Sequence, residues 1–148
     1  MELEASIRFL ERDIKKIEER SKRYGWHIFQ DGIFVKVLLP QLHTSKLFRL
    51  SLFCYGYPRH LITAEFLPNP LQPNKILWPN DKEQMFRIRS SANGIPFICM
   101  AGLKTYIPES DETTVPYSSN DLHIANIITR IGQQIAKADC SYLEVNIQ

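Results

Sequence analysis

Residues Phe48–Leu67 read FRLSLFCYGYPRHLITAEFL, an alternation of apolar and polar side chains that stops at a Gly-Tyr-Pro corner and then resumes. Phe48, Leu50, Leu52 and Cys54 fall on one face and Arg49 and Ser51 on the other, the period of a strand with one side buried. Cys54 therefore reads as a small core residue. Pro58 has no N–H to give a ladder, so the strand ends there and Leu61 to Leu67 reads as the next one. The same period runs upstream through Ile33–Leu39 and Trp26–Phe29, punctuated by Asp31-Gly32 and Pro40. Short strands in sequence, joined by turns, predict an antiparallel meander of about four strands.

Before the meander the period is helical. Ile7, Leu10, Ile14, Ile17 and Tyr24 recur at helical spacing and predict one helix from Ala5 to Tyr24, stopped by Gly25. The opposite face carries Arg8, Arg12, Lys15, Lys16, Arg20, Lys22 and Arg23, mixed with Glu11, Glu18 and Glu19, as a solvated helix surface would. After the meander, residues 68–84 hold four prolines and read as an irregular connection. A short strand, Met85 to Arg89, follows. Thr105 to Asn120 is polar and reads as a loop. It leads to a C-terminal helix with Ser119 or Asn120 as N-cap, Asp121 in its first turn, and Ile124, Ile127, Ile128, Ile131 and Ile135 as its buried stripe.

The 148 residues, 44% of them hydrophobic and 23% charged, suit one globular α+β domain over 1–148. A formal charge of +2 gives no footprint for nucleic acid. No stretch approaches the ~18 apolar residues of a membrane span, and the charged N-terminus is no signal peptide. Cys54, Cys99 and Cys140 are odd in number and widely spaced, which indicates neither a disulfide framework nor a zinc site and fits a reducing cytoplasm.

Cys99 stands apart. It lies in GIPFICMAG, Gly94 to Gly102, an apolar run closed by glycine at both ends and interrupted by Pro96, so Phe97–Met100 is not expected in a central strand. Composition alone leaves two readings open, a buried packing thiol or a presented nucleophile.

With these elements in place, the chain resembles the ubiquitin-conjugating enzymes. Tyr57-Pro58 and Ala64-Glu65-Phe66 are similar to that family's strand–turn–strand. Ile98-Cys99-Met100 is similar to its Ile-Cys-Leu, and Tyr117-Ser118-Ser119, before NDLHIANIITRI, to its Trp-Ser-Pro corner and following helix. The departures are that the His-Pro-Asn triplet before the cysteine is absent, the corner lacks Trp and Pro, and one helix follows where many relatives carry more. The resemblance implies the family's fold, an N-terminal helix, the meander and a C-terminal helix, in a divergent bacterial member. It implies a transferase that carries a ubiquitin-like modifier as a thioester on Cys99 and passes it to an amine, without metal or organic cofactor.

It also implies roles for residues. Asn93 would donate to the oxyanion of the second step, with Asn80 of Trp78-Pro79-Asn80 as substitute; Asn93-Gly94 equally reads as a tight turn. Ser118, Ser119 and Asp121 would orient the amine. Arg12, Lys15, Lys16, Arg20 and Arg23 would dock a ubiquitin-activating-like enzyme. The other implied partners are the modifier and a deubiquitinase-like metalloprotease encoded nearby, as in bacterial sets linked to phage defence.

A free thiol of pKa about 8.5 suffices for exchange between thiols, and none of the four histidines lies within twenty residues of Cys99. A Cys–His hydrolase would need His27, His43, His60 or His123 brought in by the fold. The remaining alternative is a non-catalytic protein-binding module of the same fold, similar to the RWD-like domains.

Overall fold

Two helices, α1 (Leu3–Lys15) and α2 (Glu18–Tyr24), replace the single helix expected over Ala5 to Tyr24 in the computed structural model, which describes residues 2–88, 96–100, 102–103 and 123–147. The break falls where the N–H groups of Lys16 and Ile17 turn back three residues, to the carbonyls of Asp13 and Ile14 at 3.2 and 3.1 Å. The second helix ends at Gly25, whose φ of 75° lies in the left-handed region. There the N–H of Trp26 reaches the Ser21 carbonyl and that of Gly25 the Lys22 carbonyl, the two bonds of a Schellman motif.

The buried stripe of these helices is Ser6, Leu10, Asp13, Ile17 and Ser21. It is rotated from the apolar one, leaving Ile7, Ile14 and Tyr24 partly buried at its margin. Three of the five inner positions are polar and give no signal in a hydrophobic period.

The meander is as expected in strand number and direction. Strands β1 (His27–Asp31), β2 (Phe34–Gln41), β3 (Lys46–Phe53) and β4 (Thr63–Phe66) form one antiparallel sheet in that order. Register places Val35 opposite Leu52, Val37 opposite Leu50 and Leu39 opposite Phe48, all buried on the inner face, and Ala64 and Phe66 continue it from β4. Pro40 does not end β2; it sits within the ladder opposite Leu47. Helix α3 (Ile124–Ala136) covers β2 and meets α1, with all five isoleucines of the expected stripe fully buried.

Two further ladders join this sheet in the core, and of their four strands the sequence predicts only Phe86–Ile88, within Met85 to Arg89. Lys75–Asn80, inside the proline-rich stretch read as irregular, is strand β5. Its antiparallel partner is β8 (Ser141–Asn146), which leaves α3 after a short turn. A ladder of two strands is all edge, so Pro79 fits where it could not in a central strand. Strand β6 (Phe86–Ile88) pairs with β7 (Pro96–Ile98). Edge-on contacts among Phe66, Trp78 and Phe86, with ring centroids 5.1, 5.7 and 6.5 Å apart, join β4, β5 and β6 into the one core. Among the described residues, no helix is long and apolar enough to cross a membrane.

A close approach at a glycine of α3 tests this packing. A Cβ on Gly132 of α3 would lie 2.3 Å from Cζ2 of Trp26, whose ring is itself stacked on Tyr24 at 4.8 Å. Gly132→Ala should therefore destabilise the protein in urea unfolding by roughly 1–2 kcal/mol, overpacking outweighing the ~1 kcal/mol that alanine gains in a helix. A midpoint at or above the parent's would show that Trp26 gives way.

Candidate functional site

Cys99 directly follows β7, and its N–H is bound to the Met85 carbonyl at 2.6 Å. Its neighbours Ile98 and Met100 are buried at 0% and 2% exposure, while Cys99 itself is partly exposed. The chain thus turns inward on either side of the thiol and leaves it at the surface. Beyond it, Gly102 adopts φ 95°, the Leu103 N–H returns to the Met100 carbonyl, and the Gly102 carbonyl accepts from Ile62.

A buried carboxylate holds this segment. Asp81 accepts the N–H groups of Met85 and Phe86 at 2.9 and 3.1 Å and the amide of Gln134, on α3, at 2.8 Å. The turn that carries β6, and through it the backbone at Cys99, is therefore fastened to α3. Glu83 adds a second tie through Gln134 and Lys137, and the Lys137 hydrogen bond holds its carboxyl below the usual value.

The other cysteines differ from Cys99. Cys54 is wholly buried in the core, as expected, and burial pushes its thiol up to about 12. Cys140, 1% exposed, is raised to about 11, first by burial and then by the charge of Asp81. Its carbonyl accepts from Gln41 at 2.9 Å and lies 2.7 Å from His43 Nε2, so its place is structural.

A second buried carboxylate lies at the opposite end of α3. Asp13, 1% exposed, accepts from Tyr57 Oη at 2.6 Å, Arg12 Nε at 2.9 Å and Lys16 Nζ at 3.1 Å, with His123 Nε2 at 3.4 Å. Burial alone would raise its pKa. The hydrogen bonds from Arg12, Tyr57 and Lys16, together with the His123 interaction, outweigh that and hold it at about 2. Tyr57 Oη also accepts the Ile124 N–H at 3.2 Å, and its carbonyl accepts Ser6 Oγ at 2.8 Å. Burial, followed by the carboxylate beside it, pushes the phenol well up.

His123 closes the cluster as the N-cap of α3. Its Nδ1 accepts the Ala125 N–H at 3.2 Å, which in the neutral ring leaves the proton on Nε2, towards Asp13. Its pKa is lowered by burial, opposed by Asp13 and reinforced by Lys16 and Arg12. The expected caps are corrected here, because the helix opens at Ile124 on a histidine cap rather than on Ser119 or Asn120.

The sequence-derived site residues separate accordingly. Asn93, Ser118, Ser119 and Asp121 lie outside the described residues. Asn80 ends β5 with its amide 3.3 Å from Ser141 Oγ, a bond across the β5–β8 ladder. Of the basic set, Arg12 and Lys16 converge on Asp13, Arg20 donates to Thr129 on α3 at 2.9 Å, and Lys15 and Arg23 are exposed. Asp13 and Asp81 carry no such reading, while Tyr57 enters it only as part of the Tyr57-Pro58 corner and His123 only as one of the histidines a hydrolase would need. The available signal was the carboxylate of Asp13 one turn before Ile17, on a face that also holds Leu10. Among the described residues, no group of His, Cys, Asp and Glu could hold a metal ion. No family model, no curated protein and no solved structure matches the chain.

Two measurements check this geometry. Iodoacetamide at pH 8 should alkylate Cys99 first in the native protein and reach Cys54 and Cys140 only on unfolding; equal rates at all three, read by peptide mass spectrometry, would contradict the burial pattern. The second is pH dependence. Because the folded pKa of Asp13 lies below its ordinary value of 3.8, its stabilisation is complete above about pH 4 and is lost as pH falls towards 2. Its worth should be about 1–2 kcal/mol, since Arg12 and Lys16 reach it from solvent. Denaturant curves for the parent should lose that stability between pH 4 and 2, and Asp13→Asn should remove this part of the pH dependence.

Proposed function

We propose that the chain is a ubiquitin-conjugating-type transferase that carries a ubiquitin-like modifier on Cys99 and passes it to an amine. The observation that carries this reading is the contrast among its thiols: two are buried and raised to about 12 and 11, and the third stands partly exposed on a braced segment outside the main sheet. The element order, helices, four-stranded meander, thiol segment and isoleucine-faced helix, supports it too.

In the first step the Cys99 thiolate adds to the thioester carbonyl of the modifier on its activating enzyme, and that enzyme's thiol leaves. In the second an amine adds to the new thioester, loses a proton, and Cys99 departs as thiolate. A free thiol is a few per cent ionised at neutral pH, enough for exchange without a paired histidine. No metal or organic cofactor enters the reaction. Asn93 is the proposed oxyanion donor, and Ser118 and Asp121 the groups that orient the amine. Lys15 and Arg23 are the better candidates for docking an acidic face of the activating enzyme, because Arg12 and Lys16 are shared with Asp13.

One observation favours the non-catalytic alternative. The outer face of the meander presents Phe34 and Phe53 5.0 Å apart, continued by Tyr55, all exposed, a surface that a protein-binding module uses without any need for Cys99.

Charging separates the two readings. With activating enzyme, modifier and ATP, the protein should gain one modifier in a bond that a thiol reductant removes. Cys99→Ser should give a reductant-resistant oxyester or no adduct, while Cys54→Ser and Cys140→Ser, where folded, should still charge. A Cys99→Ser variant that charges with unchanged reductant sensitivity would overturn the proposal, and a parent that never charges would favour the binding module.

A further inference from the structure

Away from Cys99, a cleft of about 190 Å³ opens where the start of β3 meets the β4–β5 connection and the β5–β8 ladder. Lys46, Arg49 and Lys75 line it, and Glu144 is the one carboxylate on its wall among the described residues. Glu144 lies 3.6 Å from Lys75 Nζ, and Lys46 Nζ sits 4.9 Å from the Tyr142 ring centroid. Arg49 has no such partner. It stands between the inward-facing Phe48 and Leu50, so its side chain leaves the outer face of the sheet, and its Nε is buried without any hydrogen bond. Among the described residues it enters no ion pair.

A buried N–H of a cation is normally bonded, because water is lost to it and nothing has replaced the water. Nε itself is covered, so an acceptor in the cleft would meet the terminal guanidinium nitrogens of Arg49, which no hydrogen bond or ion pair among the described residues engages. The guanidinium fork matches the oxygens of phosphate or carboxylate. The charge decides between them: three cations against one carboxylate leave two positive charges uncompensated, the complement of a phosphate group carrying roughly −1.5 to −2. Size limits what enters. Pockets that enclose drug-sized ligands span about 300–1,000 Å³, so this one admits a head group and leaves the rest of its bearer in solvent. Leu67 and Leu77 on the wall lower the local polarity and strengthen the contact.

We propose that this cleft binds a phosphate group, with the Arg49 guanidinium donating to its oxygens and Lys46 and Lys75 supplying the remaining charge. The site is independent of the thioester reading and is tested on the uncharged protein alone.

The Arg49 Nε–H resonance of ¹⁵N-labelled protein is followed through titrations with inorganic phosphate, O-phosphoserine, acetate and chloride at one pH and constant ionic strength. Phosphate and phosphoserine should each shift it saturably, and acetate and chloride should not. Tighter phosphoserine binding would assign the site to a phosphorylated side chain, and tighter inorganic phosphate to the free ion. Arg49→Gln should weaken phosphate binding roughly 10- to 100-fold, and Lys75→Gln by less, with thermal unfolding reporting that each variant is folded. Should Arg49→Gln fail to fold, the parent titration and Lys75→Gln decide. A drift equal to that with chloride, saturation by acetate as tight as by phosphate, or parental affinity in folded Arg49→Gln would each overturn the proposal.

Discussion

The carboxylate of Asp13 is the constraint on which the arrangement of helices depends. Taken out of water, it is stable only if its oxygens are met, and the donors come from three parts of the chain: Arg12 and Lys16 beside it, Tyr57 beyond β3, and His123 before α3. Satisfying it therefore fixes where the N-terminal helices, the corner after the meander and the last helix meet. Tyr57 extends the arrangement by accepting the first N–H of α3, so the negative charge is placed, through one hydroxyl, at the positive end of that helix.

Asp81 does the corresponding work near the other end of α3. It gathers two backbone N–H groups of the β6 turn and the Gln134 amide, and Met85 in that turn holds the N–H of Cys99. The helix is pinned at both ends by buried carboxylates, and between them its isoleucines close over the sheet. One end organises the fold and the other steadies the thiol. Basic residues on a helix can likewise serve inward: Arg12 and Lys16 are half exposed, yet their charge neutralises a buried partner.

The sequence made legible whatever rested on hydrophobic period. The meander, the isoleucine stripe of α3 and the burial of Cys54 all follow from apolar residues spaced at two or at three and four. What it hid was carried by polar groups and distant pairings. Ser6, Asp13 and Ser21 occupy inner positions of the first helices and register as surface residues in any apolar count. Strand β5 was concealed by Pro79, which is tolerated because its one partner leaves it an edge. That partner, β8, is mostly exposed and carries no strong period. Of the candidate site, the glycine-bounded run around Cys99 leaves a packing thiol and a presented one both open, and the fold makes that thiol partly exposed; Asp81, which braces it, bears no local pattern linking it to Gln134.

The pairing of β5 with β8 sets a schedule for synthesis. Asn80 and Ser141, which face each other across that ladder, are 61 residues apart. On a ribosome adding about 5–20 residues each second, β5 emerges roughly 3–12 s before its partner exists. Through that interval the backbone edge of Ile76, Leu77 and Trp78 that β8 later takes has no partner from β8, a condition under which chains pair with the wrong neighbour. Pro79, which lacks an N–H, makes that waiting edge a poor template. The residue that obscures the strand in the sequence thus removes one donor from the edge that waits for β8.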